Sequence, residues 1–232
     1  METIRAVERA IELLECFSNS RSEIGLSELS RLLGTPKATV FRLARTLLEK
    51  GYLMQDRERQ TYRIGPKVVA LSNVFLAKLD YRSEALPLMK ELRDTIQESV
   101  SLYIPVNDQR MCVQRVNSNH SLRQFIEIGD RLPLNRGSGG KLLIAYMQLM
   151  QQDVDPGEIA SILNKGYAVS IEEREQGVAS VSAPVRNNKA EVIASLTISG
   201  SAFRFQSNNL QSYIYETVHT AKRISGLLGY QE

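Results

Sequence analysis

The stretch from residue 26 to 52, LSELSRLLGTPKATVFRLARTLLEKGY, constrains the fold more than any other part of this chain of 232 residues. Leucines recur at spacings of three and four up to Leu33, which predicts a short helix with one buried face. Gly34 follows, where a chain can leave a helix through a left-handed residue. Thr35 and Pro36 then predict a new helix, with threonine as its N-cap and proline at its first helical position. The pattern predicts two helices joined by a tight turn.

The second helix has two different faces. Val40, Leu43 and Leu47 form an apolar face, whereas short polar and basic residues occupy the other. Such a helix fits the major groove of DNA, and its N-terminal N–H groups favour nearby phosphates. An ordinary helical hairpin with a solvated charged face explains the same pattern. If the helix reads DNA, the residues expected to contact it are Thr35, Pro36, Lys37, Ala38, Thr39, Arg42 and, at a phosphate, Arg45.

The distribution of charge favours the DNA-binding interpretation. The formal net charge is only +3, yet residues 35–65 hold seven lysines and arginines against three acidic residues, whereas residues 1–34 hold four against six. Two β-prone runs around the polar segment DRERQ predict a hairpin whose tip carries Arg57 and Arg59. These arginines would reach backbone phosphates or the minor groove. Three helices followed by such a hairpin is the order of a winged helix-turn-helix domain.

Two further helices in the first 80 residues are marked by their apolar residues. The helix at 4–17 is predicted to bury one stripe of side chains. A helix from about 67 to 80 is apolar around its circumference, which is typical of a linker helix that also packs against a partner chain. The stripe of the first helix consists of Ile4, Val7, Ile11, Leu14 and Phe17.

The pattern after residue 81 predicts an antiparallel sheet with flanking helices, an α+β arrangement. A glycine-rich turn at 137–140 runs directly into an apolar helix. Strands are predicted at 100–106, 111–118, 123–129 and in a hairpin from 178 to 200, and the other helices at 82–98, 157–164 and 209–228.

Several classes of protein are excluded by composition. The chain is 43% hydrophobic and 24% charged, as expected of a folded protein. It has no apolar run of about 18 residues and a charged N-terminus, which predicts a cytoplasmic protein without a membrane span or secretory signal. Cys16 and Cys112 are predicted to be free thiols. His120 and His219 stand alone, so we expect no catalytic group, no metal site and no cofactor.

Six segments in combination resemble the IclR family of bacterial transcription regulators, essentially from end to end. They are RAVERAIELLECFS, LSELSRLLGTPKATVFRLARTLLEKGYL, YRIGPKVVALS, RLPLNRGSGGKLLIAYM, GYAVSIEEREQGVASVSAPV and VIASLTISG. The resemblance implies a winged helix-turn-helix DNA-binding domain at 1–65, a linker helix at 66–80 and a GAF-like effector-binding and oligomerisation domain at 81–232. It also implies a homodimer, commonly a dimer of dimers, that binds a double-stranded DNA operator, here as a repressor.

The resemblance further implies a small carboxylate effector, bound near the glycine-rich helix start. Free backbone N–H groups at such a start make an anion site, although a tight turn that only lets strand and helix pack gives the same sequence. Two other functions stay open, namely an enzyme acting on a small acid and a constitutive DNA-binding oligomer. The expected effector contacts are Gly137, Ser138, Gly139, Gly140, Ser170, Val178, Ser180 and Ser182.

Overall fold

A computed structural model describes residues 4–18, 20–56, 58–76, 81–121, 123–149 and 153–231. The chain divides into two compact units, Met1–Leu79 and Asp80–Glu232. Each unit has its own hydrophobic core. Within the described ranges, no helix is both long enough and apolar enough to cross a membrane.

The N-terminal unit is a winged helix-turn-helix, as the sequence predicts. Its sheet has three antiparallel strands in the order β1-β3-β2, so the predicted hairpin gains a short first strand. The core lies where the helices meet this sheet, around Leu13, Leu29, Val40 and Leu47. The elements are α1 (Arg5–Glu15), β1 (Ile24–Gly25), α2 (Leu26–Leu32), α3 (Lys37–Glu49), β2 (Leu53–Asp56), β3 (Thr61–Ile64) and α4 (Lys67–Leu76).

The turn between α2 and α3 differs from the prediction at the N-cap of α3. Gly34 is left-handed, with φ of 57°, as expected. However, Pro36 is the N-cap of α3, and no side chain caps the helix. The Thr35 hydroxyl instead donates to the carbonyl of Leu33 at 3.1 Å. The predicted start of α3, with Thr35 as N-cap and Pro36 as first helical residue, is therefore wrong by one position. The threonine side chain does not cap the helix because it bonds back to the turn.

The predicted apolar stripe of α1 is largely on the surface of this chain. Ile4, Val7 and Ile11 are 71%, 53% and 51% exposed, whereas Leu13, outside the stripe, is fully buried. The helix contacts α3 through the side that carries Leu13. Periodicity correctly predicted a helix with an apolar face. However, the side of α1 that packs into the core of this chain is the side that carries Leu13.

The C-terminal unit is an α+β fold built on six antiparallel strands in the order β6-β5-β4-β9-β8-β7. Helix α6 lies on one face of the sheet, while α5 and α8 pack together and cover the other. The elements are α5 (Tyr81–Ile96), β4 (Ser99–Val106), β5 (Gln109–Val116), β6 (Arg131–Pro133), α6 (Ser138–Met147), α7 (Pro156–Lys165), β7 (Ala168–Ile171), β8 (Val178–Arg186), β9 (Val192–Ser201), a 3-10 turn (Ala202–Phe205) and α8 (Ser207–Leu227).

Residues 123–129, predicted as a strand, form no strand. The chain turns here, since the N–H of Glu127 donates to the carboxylate of Asp130 at 2.8 Å and Gly129 has φ of 100°. The strand β6 begins only after this turn, at Arg131. One side of this segment lies against the rest of the unit, as the burial of Ile126 shows, which explains the alternation of apolar and polar residues. The segment does not pair with a neighbouring strand.

Candidate functional site

The exposed side of α3 carries most of the DNA-binding candidates. Arg45 forms an ion pair with Glu49 at 3.0 Å, which neutralises part of its charge. Thr35 is only 4% exposed, so we leave its side chain out of this surface. The remaining candidates are Pro36, Lys37, Ala38, Thr39 and Arg42, all exposed apart from the half-buried Thr39.

A groove beside Arg42 brings in two arginines of α1 that are not among the predicted DNA contacts. Arg5 and Arg9 line one wall, and Thr39, Arg42 and Thr46 line the other, around a volume of 590 Å³. The signal was their spacing of four, which places both guanidinium groups on one helix face. Three guanidinium groups around one groove suit a phosphate, which they bind with charge-assisted hydrogen bonds.

The wing tip is ordered by a carboxylate. Asp56 accepts N–H bonds from Glu58 at 2.9 Å and Arg59 at 3.1 Å. The bond from Arg59 is the main cause that lowers the pKa of Asp56 below its usual value. Arg59 is exposed and forms an ion pair with Glu23 at 3.4 Å. The other tip candidate, Arg57, lies outside the described residues.

The glycine-rich segment forms the start of α6 and lies directly against the sheet. Gly137 has φ of 80° and precedes Ser138, the first helical residue; no side chain caps the helix. Gly139 approaches the sheet so closely that a Cβ atom there would lie 2.8 Å from Oγ1 of Thr197. Gly140 likewise has no room for a Cβ atom. Close packing accounts for these two glycines, and it leaves an uncapped helix start beside a cavity.

This cavity lies between the start of α6 and the sheet. It measures about 20 Å³, enough for about one water molecule. Five of the predicted effector contacts line it, namely Gly137, Gly139, Ser170, Val178 and Ser180.

Ser138 and Ser182 form a hydrogen-bonded layer next to this cavity. The hydroxyl of Ser138 lies 2.7 Å from those of Ser180 and Ser182, and Ser182 lies 2.8 Å from Thr197. Gly140 packs beside the guanidinium of Arg110. The eight residues expected to contact an effector therefore lie in one region of the C-terminal unit.

Arg110 lines the cavity but lies outside the predicted strands, in the segment between 106 and 111. It belongs to β5 and is 4% exposed. Its Nη1 donates to the carbonyls of Pro133 and Arg136, its guanidinium lies 5.4 Å from the ring centre of Tyr103, and its Nε has no partner. Burial lowers the pKa of Arg110 to about 10, which leaves it a cation at neutral pH. The signal in the sequence was an arginine directly before the apolar residues 111–113.

A second arginine reaches the cavity from the acidic loop after β7. Arg174 lines the cavity, and its acidic partner is Glu175, 3.5 Å away, with a side chain 64% exposed. Glu173 forms an ion pair at 2.5 Å with Lys141 of α6, which also pairs with Glu158 of α7. An ion pair with a buried lysine beside the cavity thus holds part of the acidic loop in place.

The cavity is suited to an anion. Arg110 and Arg174 provide two cations, and no carboxylate occurs among the described residues that line it. In the described parts of the chain, no three His, Cys, Asp or Glu side chains are grouped to hold a metal ion.

A winged helix-turn-helix followed by an α+β unit of this kind defines a DNA-binding transcription regulator. Residues 6–57 match the model of the IclR helix-turn-helix domain, and residues 74–154 and 156–226 match that of the bacterial transcriptional regulator IclR C-terminal domain. The chain belongs to the IclR family of bacterial transcription regulators. The resemblance predicted from the sequence is confirmed.

The similarity to known proteins covers nearly the whole length of this chain. The HTH-type transcriptional regulator XynR of Escherichia coli K12 is 28% identical and covers 99% of both chains. KdgR of the same strain is 27% identical, over 100% of this chain and 95% of its own. An IclR homolog from Microbacterium hydrocarbonoxydans, solved in complex with 4-hydroxybenzoate, has a TM-score of 0.81 at 19% identity, over 96% of this chain and 98% of that one.

Proposed function

We propose that this protein is a cytoplasmic repressor that binds its operator through the N-terminal unit and responds to a small organic acid in the C-terminal cavity. One observation supports the acid most directly: Arg110 is buried with an unpaired Nε in a cavity whose described lining holds no carboxylate. A buried charge without a counter-charge is costly, and an anionic ligand would remove that cost.

In this proposal α3 enters the major groove. Lys37 and Arg42 are exposed near the helix start and are assigned to base edges and adjacent phosphates. Arg5 and Arg9 extend the positive surface alongside α3 and are assigned to backbone phosphates. Arg59 takes the same role from the wing.

The proposal includes a homodimer, with two dimers pairing into a tetramer. Its support is an apolar groove of 540 Å³ on the N-terminal unit, lined by α1 residues including Val7, Ile11 and Leu14 and by Leu71 of α4. Val69, Leu71 and Val74 of α4 are also exposed, with Val74 at 68%. Contiguous exposed apolar surface of this kind marks association sites. A second copy of the chain is the proposed cover.

The two ligands are coupled through the geometry of the dimer. Operator DNA favours one spacing of the two winged helices, and the acid favours another. The acid then lowers the affinity for the operator, and the operator lowers the affinity for the acid by the same factor.

The DNA surface is tested with a duplex taken from the region upstream of the protein's own gene. We expect Lys37→Ala and Arg42→Ala each to weaken binding by about 5- to 150-fold, equivalent to about 1–3 kcal/mol. Binding of the unaltered protein should also fall steeply with salt. Lys189→Ala, an exposed lysine in the β8–β9 turn, is the matched control and should bind normally. Unchanged binding by both α3 variants would refute this surface.

The response is tested by adding small acids that raise the melting temperature of the protein. Such an acid should change operator affinity, and deletion of the gene should raise expression from the operator promoter. An acid that binds without changing operator affinity would instead favour a constitutive DNA-binding oligomer, and turnover of the acid would favour an enzyme.

A further inference from the structure

Hydroxyl groups cover one face of the C-terminal sheet. In the strand register Ser170 pairs with Ser180, Ser180 with Ser199, and Ser199 with Ser99, which makes one row across β7, β8, β9 and β4. Paired residues in an antiparallel sheet point to the same face, as do residues two apart on one strand. We name this surface the hydroxyl face; it comprises Ser99, Ser101, Ser170, Ser180, Ser182, Ser195, Thr197 and Ser199.

The hydroxyl face lies where a core would ordinarily be apolar. Every member except the half-buried Ser180 is buried. Several hydroxyls satisfy one another or neighbouring groups, as Ser101 does by accepting from Arg115 at 2.7 Å. The hydroxyls of Ser195 and Ser199 have no partner. A buried hydroxyl without a hydrogen bond costs about 1–3 kcal/mol, so these groups destabilise the fold unless something binds them.

Three of the unpaired buried polar atoms belong to residues that line the cavity. Ser199, Arg110 and Gln124 line it, and Ser199 Oγ, Arg110 Nε and Gln124 Nε2 are each buried without a partner. Arg110 lies on the same side of the sheet as the hydroxyl face. It pairs with Pro105 of β4, which is two residues from Tyr103, and Tyr103 pairs with Ser195 of that face. A cation stands beside a row of groups that both donate and accept hydrogen bonds.

An aromatic ring would match the polar lining of this cavity poorly. Tyr103 is the single aromatic residue among its described lining, and the guanidinium of Arg110 already lies over that ring. A ring or an alkyl chain would cover the hydroxyl face without bonding it, which leaves its buried polar groups unpaired. A site built from hydrogen-bonding groups rejects analogues that lack the matching hydroxyls.

We infer that the effector is an acyclic polyhydroxy carboxylate, the class of the aldonic acids. Its carboxylate binds Arg110, with Arg174 as the second cation, and its hydroxyls bond the hydroxyl face at Ser199. This inference rests on the proposed function only in taking this cavity as the effector site.

The test is a comparison of four ligands on the full-length protein by calorimetry. Gluconate has the carboxylate and the hydroxyls, hexanoate has only the carboxylate, sorbitol has only the hydroxyls, and 4-hydroxybenzoate has an aromatic ring. We expect gluconate, or a shorter aldonate, to bind at least tenfold more tightly than each of the other three. Equal or tighter binding of hexanoate or 4-hydroxybenzoate, or no binding by any aldonate of four to six carbons, would overturn the inference.

Two variants locate the binding on the hydroxyl face. Ser199→Ala should weaken aldonate binding about tenfold, and should raise rather than lower the melting temperature without ligand, because it removes an unpaired buried hydroxyl. Thr95→Ala, on the exposed side of α5, is the matched control. Unchanged aldonate binding by Ser199→Ala would contradict the assigned contact.

Failure of this inference is distinguishable from failure of the proposed function. If an aldonate binds in the cavity but operator affinity does not change, the ligand class stands and the repressor mechanism fails. If a hydrophobic or aromatic acid releases the operator instead, the repressor mechanism stands and the ligand class is wrong.

Discussion

In the proposed function, binding of an acid depends most on Arg110. Replacing it by methionine preserves length and burial but removes the charge, so Arg110→Met should abolish the acid-dependent change in operator affinity. Operator binding without acid should persist, because the residue lies in the C-terminal unit. Titrating operator DNA with and without acid measures both quantities. Arg123→Met, an exposed arginine outside the cavity, is the control; equal loss of both activities in Arg110→Met would contradict the assignment.

The lowered pKa of Arg110 allows a second test, in which acid binding is measured as a function of pH. Burial lowers the pKa of Arg110 to about 10. Acid binding should therefore stay constant between about pH 6 and 9, where both the ligand and Arg110 are ionised, and weaken as the pH approaches 10. The stability of the fold should change in the opposite direction. The folded state holds the proton of Arg110 less tightly than the unfolded state, so the contribution of Arg110 to the free energy of unfolding rises with pH above about 10.

Individual site residues could be predicted only where the local chain determined their surroundings. The glycines at 137–140 were identified because a glycine-rich turn before an apolar helix is a local signal. Arg110 and Arg174 were missed because their role depends on strands that are distant in sequence. Thr35 was assigned as a cap since its type favours that role, yet its hydroxyl bonds to Leu33 in the turn.

At the scale of elements, hydrophobic periodicity predicted the α-helices of both units and the strands β2, β3, β4, β5, β8 and β9, because each buries a face against the rest of its unit. It did not predict the short strands β6 and β7. It failed where turns decide the backbone. Residues 123–129 alternate as a strand does but turn at Gly129. Strand β1 has only two residues, too few for any periodicity.

The buried lysine of α6 connects three elements, and its removal should destabilise the C-terminal unit. Lys141 is 3% exposed and is paired with Glu158 of α7 and Glu173 of the loop after β7. Lys141→Met leaves these two carboxylates repelling each other, although water still reaches both. We expect a loss of about 1–3 kcal/mol in the free energy of unfolding, measured by urea denaturation.

Two comparisons determine whether this loss comes from the charges. Lys165→Met removes an exposed lysine at the end of α7 and should have little effect. Glu173→Gln combined with Lys141→Met should recover part of the loss, because it removes one of the two like charges. A double variant as unstable as the sum of both single variants would indicate that packing, rather than charge, causes the effect.

At the scale of the whole molecule, the exposed stripe of α1 predicts how copies of the chain associate. Ile11 is 51% exposed and lines the apolar groove of the N-terminal unit. Ile11→Asp should dissociate the proposed dimer, because a charge would be buried without a partner in the interface. Sedimentation velocity measures the change in mass. Glu12→Gln, the exposed neighbouring residue, is the control, and a dimer that persists in Ile11→Asp would refute this interface.

If the protein responds to an acid as proposed, the small size of the cavity has a consequence for when it responds. At about 20 Å³ it cannot hold an organic acid unless its wall moves. Free energy of binding is then partly used to populate an open form, so the apparent affinity falls by the fraction of molecules that are open. A sensor of this kind ignores traces of its metabolite and reacts when the metabolite accumulates. The closed cavity would thus set a concentration threshold for the gene that it controls.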